Sequence, residues 1–537
     1  MPVRLLWSLV IALFIAGCAT VPSQTPSSAA GDRTRSDTLT GADPSAVGQK
    51  TAPSKPQAES TAPITNLWER IRLGYAIPGH DNERVSRQLQ AYAEMGEYWE
   101  RVSERAEPYL FHIVEELHAR DMPMELALLP IVESAYRPFA YSHGRAAGIW
   151  QFIPATGRHY GLDQNWWYDG RRDVIAATDA ALTYLAHLNE LFDGDWLLAL
   201  AAYNGGQGTV MRAQKRNARA GLPTDYWSLD LPRETMGYVP RLLAISEIIM
   251  QAEDYGIDLY PIANAPVVDV VELEHQVDLA LAAELAGIDM ETLYRLNPGY
   301  NRWATAPGGP HRLLLPIDRI AAFNEGLAQT PPQSWMRWER HRIASGETLG
   351  EIAARYHITV ADLQAANDIN GHIIRAGDHL LVPVASRPAG NYTLSAGQRL
   401  AATRSTPQDG RSRLDYTVRA GDSFWAIAQR HDVGVRELAR WNGMAPGDTL
   451  AVGRQLTIWT ENAGSGNASG LAAIRSDNRL QSVTYTVRQG DSLYRIANRF
   501  KVQVADLQRW NGISEGAYLQ PGQRLRLQVD VTAQSNL

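Results

Sequence analysis

The run Tyr416-Thr-Val-Arg-Ala-Gly-Asp-Ser-Phe-Trp-Ala-Ile-Ala returns almost unchanged as Tyr485-Thr-Val-Arg-Gln-Gly-Asp-Ser-Leu-Tyr-Arg-Ile-Ala. A third copy reads His341-Arg-Ile-Ala-Ser-Gly-Glu-Thr-Leu-Gly-Glu-Ile-Ala. Such a repeat fixes the architecture early, because each copy has to be one supersecondary unit. From the apolar residue after the Ser or Thr, a Leu follows fourteen positions on and an Asn eighteen, giving Leu349/Leu363/Asn367, Phe424/Leu438/Asn442 and Leu493/Leu507/Asn511. Each copy opens on an alternating strand, caps a helix with Asp-Ser or Glu-Thr, adds a second helix and closes on a strand after Gly. The expectation is a βααβ module.

These motifs resemble the LysM domain, a small module that binds glycans containing N-acetylglucosamine, over residues 341–384, 414–459 and 483–528. The resemblance puts a sugar groove between the first strand's exit turn and the second helix's exit loop. It therefore implies glycan contacts at Gly421, Asp422, Ser423 and Asn442, and at Gly490, Asp491, Ser492 and Asn511. In the first copy Glu347-Thr348 replaces Asp-Ser, which weakens the case for binding there. A degenerate fourth unit is expected at 268–317, where Leu279, Leu293 and Asn297 keep the spacing but Gln276-Val277-Asp278 replaces the Gly-Asp-Ser turn. The bland alternative is that all copies are spacers whose Asp and Ser only cap helices. Polar stretches at about 386–412 and 461–482 read as flexible linkers between modules.

Residues 85–250 have another texture, with helical spacing such as Leu110, Ile113, Val114 and Leu117. Asp121 is placed to cap the next helix, which runs through Leu126-Ala-Leu-Leu-Pro-Ile-Val to Glu133-Ser134. A carboxylate after so apolar a run is expected to be desolvated, with a raised pKa suited to a general acid. A surface residue closing a core helix fits the spacing equally well. Three further blocks follow: Ser142-His-Gly-Arg-Ala-Ala-Gly-Ile-Trp-Gln-Phe-Ile-Pro-Ala-Thr-Gly157, Ala201-Ala-Tyr-Asn-Gly-Gly206 and Glu234-Thr-Met-Gly-Tyr-Val239.

With Glu133-Ser134-Ala-Tyr136, these blocks in this order resemble the lysozyme-like lytic transglycosylase domain, and the whole chain is similar to the membrane-bound lytic murein transglycosylases. The fold class implied is multidomain: a mainly α catalytic domain at 64–260, then α+β LysM modules on flexible linkers. The resemblance implies cleavage of the β-1,4 bond between N-acetylmuramic acid and N-acetylglucosamine with formation of 1,6-anhydro ends. Glu133 becomes the sole acid/base. Ser142 and Gln151 line the sugar, Tyr203 sits by the Glu133 carboxyl, and Asn204 and Tyr238 shape the site. Ile149-Trp150 stands where many relatives have Leu-Met, so Trp150 is expected to alter the grip on glycan. Other readings are a hydrolytic muramidase using Asp169 or Asp173 to activate water, and a non-catalytic wall tether.

The formal net charge of −7 gives no electrostatic case for nucleic acid. Gly205-Gly206-Gln207-Gly208 lacks the Lys-Ser/Thr of a phosphate loop. The 13 histidines include no His-Glu-x-x-His, and His112, His118, His143, His159 and His187 read as structural or solvated, so neither metal nor cofactor is expected. Trp166-Trp167-Tyr168 reads as core in preference to a sugar platform. The chain's one cysteine, Cys18, follows a basic start and an apolar run from Leu5 to Ile15 that is too short to span a bilayer. Ile15-Ala16-Gly17-Cys18 looks like a lipobox, which implies a signal at 1–17 and acyl chains on Cys18. Residues 18–63 are too polar to fold and read as a tether. Partners are thus peptidoglycan glycan strands and, through lipidated Cys18, a membrane. The resemblance implies an outer-membrane lipoprotein facing the periplasm. Cys18→Ala should release or misprocess the protein; membrane fractionation with acyl-label incorporation checks this, and a labelled, membrane-bound variant would contradict it.

Overall fold

The computed structural model describes residues 63–79, 81–461, 480–487, 491–499, 502, 504–513, 519–520 and 522–530. The leader, Cys18, the tether and Gly490 lie outside the described residues. No helix among the described residues is long and apolar enough to cross a membrane.

The first part of the described chain is helical: α1 (Leu67–Leu73), α2 (Glu83–Ala93), α3 (Gly96–Ala119), α4 (Leu129–Ser134), α5 (Pro154–His159), α6 (Val174–Leu191), α7 (Trp196–Gly205), α8 (Gln207–Arg219) and α9 (Arg233–Met250). The amphipathic α3 buries Leu110, Ile113, Val114 and Leu117 as its spacing requires. At the centre lies α7, whose run Leu198–Ala202 is wholly buried against α6, α8 and α9. Asp173 and Asp195 cap α6 and α7 by accepting from Ala176 N–H and from Leu197 and Leu198 N–H. Asp121 does not cap as expected. It sits beyond the end of α3 with φ 52°, and Pro123 precedes a 3₁₀ turn, Met124–Leu128, that leads into α4. Buried Glu125 in that turn instead holds the chain after α1, accepting from the N–H groups of Ala76 and Ile77 at 2.7–3.0 Å.

Four βααβ units follow. The first comprises β1 (Val268–Glu272), α10 (Leu279–Ala286), α11 (Met290–Leu296) and β2 (Arg312–Pro316), then α12 (Ile317–Gln329). The second has β3 (Arg337–Arg342), α13 (Leu349–Arg355), α14 (Val360–Ala365) and β4 (His379–Val384). After α15 (Ala396–Ser405) comes the third: β5 (Arg411–Thr417), α16 (Phe424–Arg430), α17 (Val435–Trp441) and β6 (Gln455–Glu461). The last has β7 (Leu480–Thr486), α18 (Leu493–Arg499), α19 (Val504–Asn511) and β8 (Arg524–Asp530). In every unit the two strands pair antiparallel, as in Val268↔Pro316 and Tyr416↔Leu456.

One device explains the repeat spacing. The Leu at position fourteen, whether Leu293, Leu363, Leu438 or Leu507, is fully buried. Four residues later the Asn side chain donates to that Leu's carbonyl and to a carbonyl of the closing strand, and accepts that strand residue's N–H. The three bonds recur with Asn297 on Leu293 and Leu314, Asn367 on Leu363 and Leu381, Asn442 on Leu438 and Thr457, and Asn511 on Leu507 and Arg526, all at 2.6–3.0 Å. The Asn thus closes the second helix onto the last strand and pairs backbone groups at the junction.

The unit at 268–316 is fused to the helical domain. Trp167 and Tyr168 join its hydrophobic cluster, Asp169 N–H donates to the Gly299 carbonyl at 2.8 Å, and Asn301 N–H donates to the Trp167 carbonyl at 2.7 Å. Trp166-Trp167-Tyr168 is accordingly core, as its composition suggested. Residues 386–412 are not a loose linker: they hold α15, and buried Tyr392 donates to Asp278 while Ser386 N–H does the same at 2.9 Å. A single aromatic anchor in a Ser/Pro/Gly-rich stretch leaves little trace in composition.

Removing the Asn leaves three buried backbone groups unpaired. Asn442→Ala should therefore destabilise its unit by about 2–3 kcal/mol, an unpaired buried group costing roughly 1–3 kcal/mol. Amide exchange across Gln455–Glu461 reads the loss directly, and unchanged exchange would contradict it.

Candidate active site

Glu133 lies at the end of α4, which stops because Ala135 and Tyr136 both take left-handed φ values, 51° and 54°. Two such residues in succession turn the chain sharply away, and the Tyr136 hydroxyl locks the turn by donating to the Ala127 carbonyl at 2.7 Å. Non-glycine residues hold this conformation only where surrounding contacts over-determine it, which is common at functional sites. Buried Ser134 donates to the carbonyls of Pro130 and Ile149, tying the helix end to the next loop.

That loop carries Ser142 and Gln151. The Ser142 hydroxyl accepts from Gly144 N–H at 3.2 Å and Ala146 N–H at 3.0 Å, making a tight hairpin, and Gln151 donates to the Gly148 carbonyl at 2.8 Å with φ 51°. Gly148 is required: its φ is +81°, and a Cβ there would lie 1.9 Å from the Arg171 carbonyl oxygen. Arg171 grips the loop, donating to the carbonyls of Arg145 at 2.6 Å and Phe152 at 3.2 Å. Its guanidinium is also held by Asp169 through two 2.9 Å bonds, both side chains being buried.

The Glu133 carboxyl receives a hydrogen bond from the Tyr238 hydroxyl on α9, 2.6 Å from Oε1. Burial raises its pKa to about 7, against the opposing pull of that hydrogen bond and of the Arg241 charge; Glu234 adds a smaller upward push. Desolvation wins, so the group is partly protonated near neutral pH. Tyr203 lies close enough to feel the Glu133 charge. Tyr203 does not bond Glu133: its hydroxyl donates to the Trp150 carbonyl at 2.9 Å, while its ring lies 5.4 Å from that of Tyr184. Both tyrosines face the carboxylate's field, and burial with that charge pushes their hydroxyls well above the usual range. Trp150 is also corrected. It is fully buried and donates to Thr178 Oγ1 at 3.0 Å, so it is part of the core and does not line a cleft. Asn204 accepts from Thr235 at 2.9 Å, joining α7 to α9.

The carboxylates considered as a second catalytic base are already engaged. Asp169 is paired with Arg171 and Arg172, and Asp173 caps α6, accepts from Tyr168 at 2.7 Å and pairs with Arg312 at 3.0 Å. Among the described residues no cluster of His, Cys, Asp and Glu could hold a metal ion.

In the repeats, the side chains named for glycan contact also make internal bonds. Asn442 has no exposure, and its oxygen additionally accepts from Arg404, so no side-chain atom is left for a sugar. Asn511 carries the same three internal bonds. Asp422 accepts from Tyr416 at 2.6 Å and from Arg419 N–H at 2.8 Å, Asp491 accepts from Tyr485 at 2.7 Å, and Ser423 and Ser492 cap their helices. Gly421 has φ +84°, the conformation its turn needs. These side chains build the turns.

The family models agree with this geometry. Residues 112–222 match the transglycosylase SLT domain, residues 267–331 the LysM-like domain of lytic transglycosylase MltD, and residues 341–383, 416–459 and 485–528 the LysM domain. Membrane-bound lytic murein transglycosylase D of Escherichia coli K12 is 39% identical over 472 residues, 88% of this chain and 87% of that protein. An autolysin of Enterococcus faecalis is 35% identical over 187 residues, 34% of this chain and 24% of that one.

A group with a folded pKa raised to about 7 from 4.5 favours the native state fully below pH 4.5, and that contribution is lost as pH rises through 7. Glu133→Gln, which cannot ionise, should thus gain stability relative to the parent between pH 5 and 8, as chemical denaturation at both ends of that window would read. Tyr238→Phe removes the bond that favours the carboxylate, so the alkaline limb of kcat/KM should move up from about pH 7 while kcat falls. With 39% identity over 88% of this chain and 87% of the relative, and with the SLT and LysM models matched along it, this chain belongs to the membrane-bound lytic murein transglycosylase D family.

Proposed function

We propose that the protein is a lytic transglycosylase of peptidoglycan, cleaving between N-acetylmuramic acid and N-acetylglucosamine and leaving 1,6-anhydro ends. The observation that carries this reading is a single half-buried carboxyl, Glu133, with a pKa of about 7 and one oxygen held by Tyr238. An ordinary glycosidase uses two carboxyl groups, one for the leaving oxygen and one for water or the sugar. Attack on C1 by the muramic acid's own C6 hydroxyl removes the second requirement.

Protonated Glu133 gives its proton to the glycosidic oxygen, and the C1–O bond breaks while the 2-acetamido group supports the anomeric centre. The ionised carboxylate, steadied by Tyr238, then takes the C6 hydroxyl proton as that oxygen bonds to C1. The enzyme returns to its starting protonation state, and no water is consumed. With Oε1 occupied by Tyr238, Oε2 is the oxygen that would face the glycan. Ser142 and Gln151 lie on the braced hairpin loop as sugar-binding residues, with Asn204 shaping the α7 side. Tyr203 holds the Trp150 carbonyl and so supports that loop from behind.

The βααβ modules at 341–384, 414–459 and 483–528 would hold the enzyme on the wall. Individual affinities can be weak, since tethered modules raise one another's effective concentration. Acylation of Cys18 would anchor the chain to the outer membrane, facing the periplasm, with residues 18–63 as tether. Several acyl chains give stable anchoring where one is marginal.

Mass spectrometry of products from purified sacculi tests the chemistry: the expected muropeptides are lighter than reducing-end products by one water. Reducing ends would sink the transglycosylase reading in favour of hydrolysis. Glu133→Gln should abolish turnover with the fold retained, and cleavage within a few-fold of the parent would remove Glu133 from its role.

A further inference from the structure

The third βααβ unit, residues 411–461, touches the Ser142 hairpin itself. Arg145, at the hairpin tip, reaches across to the loop after α17, where its Nε lies 2.5 Å from Asp448 Oδ1 and its guanidinium also donates to the Gly447 carbonyl. Asp448 is built for the contact. Its other oxygen accepts from Ala445 N–H at 2.8 Å, and its own N–H donates back to the Ala445 carbonyl at 3.0 Å, so the carboxylate is fixed before Arg145 arrives. The pair is partly shielded, with side-chain exposures of 39% for Arg145 and 20% for Asp448. Tyr141, the residue before Ser142, feels the same carboxylate: burial and Asp448 both push its hydroxyl upward.

The hairpin is thus held at two points on one residue. Arg171 grips the Arg145 backbone carbonyl from the helical domain, and Asp448 grips the Arg145 side chain from the repeat unit. Between them Arg145 holds φ 67°, and its N–H donates to the Ser142 carbonyl at 3.0 Å, which sets the hairpin's reach. A second bridge keeps the unit in place. On α15, Arg399 stacks 4.5 Å from the ring of Phe139 just ahead of the hairpin, and Arg404 donates to Asn442 and to the Gln455 carbonyl in the repeat unit. Ala396 N–H donates to the Asn301 carbonyl at 2.9 Å, fastening α15 to the fused first unit.

We propose that Asp448 is a positioning residue for the catalytic domain: through Arg145 it fixes the Ser142 hairpin, so that the third βααβ unit completes the sugar-binding wall as well as holding the wall polymer. This rests on the glycan-cleft reading of Glu133 and Ser142. An ion pair between domains gives the hairpin's conformation a dependence on where that module sits. Glu133 lies on α4 and takes its hydrogen bond from Tyr238 on α9, so the effect falls on sugar binding more than on proton transfer.

The test uses the full chain and four variants: Asp448→Asn, Arg145→Gln, the two combined, and Arg145→Lys. Amide exchange of residues 141–147 is measured beside kcat and KM on soluble, uncrosslinked glycan strands. Each single neutral variant should speed exchange in the hairpin about fivefold, the scale of a partly exposed ion pair, and raise KM by more than it lowers kcat. The combined variant should be no worse than Arg145→Gln alone, since both changes break the same ion pair, and Arg145→Lys should recover most of the parent's exchange protection. Unchanged hairpin exchange in Asp448→Asn, or effects that add in the combined variant, would overturn the clamp. Faster exchange with an unaltered KM would overturn the positioning role. If the parent itself released no anhydro product, the glycan-cleavage reading would fail instead, and the exchange data would still decide the clamp.

Discussion

The buried pair of Arg171 and Asp169 is the interaction on which the site's geometry depends. Burying two charges is costly unless their hydrogen bonds are filled, and here they are. Asp169 receives both nitrogens of one edge of the guanidinium, and the remaining Arg171 nitrogen donates to the loop carbonyls of Arg145 and Phe152. Those carbonyls flank Gly148, whose missing side chain lets the loop lie flat on the Arg171 backbone. Asp169 N–H reaches Gly299 in the first βααβ unit, so one ion pair ties together the catalytic loop, the helical domain and the fused module. Breaking it would leave an uncompensated charge beneath the loop, which is why a short, irregular segment can hold several left-handed residues without collapsing.

Desolvation of Glu133 is the second constraint, and it follows from the same packing. The apolar 3₁₀ turn and α4 end in the protein interior, so the first carboxylate after them emerges in a poorly solvated place. Tyr238 then sets a limit on how far the pKa can rise. Its hydroxyl favours the anion enough to keep the group near 7, where one carboxyl can serve as acid and then as base within a single turnover. A more strongly desolvated group would be too weak an acid to give its proton to the glycosidic oxygen, and a solvated one would be mostly ionised beforehand and too weak a base to take the C6 hydroxyl proton.

Much of this was legible in the sequence, and the failures have a common cause. Repeat spacing gave the βααβ units, including the degenerate one, because buried Leu and closing Asn must fall at fixed steps. For Glu133 the apolar run left a desolvated acid and a surface residue equally open, and the blocks that follow it, through their resemblance, favoured the acid. Less legible were the side chains whose role depends on which neighbour they meet: Tyr203 and Tyr238 both feel the Glu133 charge, and the packing of α7 and α9 decides which hydroxyl meets the carboxyl. Trp150 was misjudged because a large aromatic beside Gln151 suits a cleft or a core equally, and Thr178, twenty-eight residues on, settles it. The α15 segment was hidden because Tyr392 is an isolated aromatic in a polar stretch, and its other anchors are polar bonds to distant residues.

The recurrent Asn carries a lesson about what a repeat preserves. In every unit it bonds three backbone groups, and a module of this size has too small a core to tolerate the loss of those bonds easily. Spacing therefore marks the residues that let the module fold, and any surface that meets glycan is free to differ between copies. The copies already differ in what their surfaces meet. The first unit's exit loop lies against Trp167, Asp362 of the second unit accepts from the Trp167 indole at 2.7 Å, and the third unit meets Arg145. Identical scaffolds have thus been turned to different neighbours, with the shared motif guaranteeing the fold and the loops beside it deciding the partner.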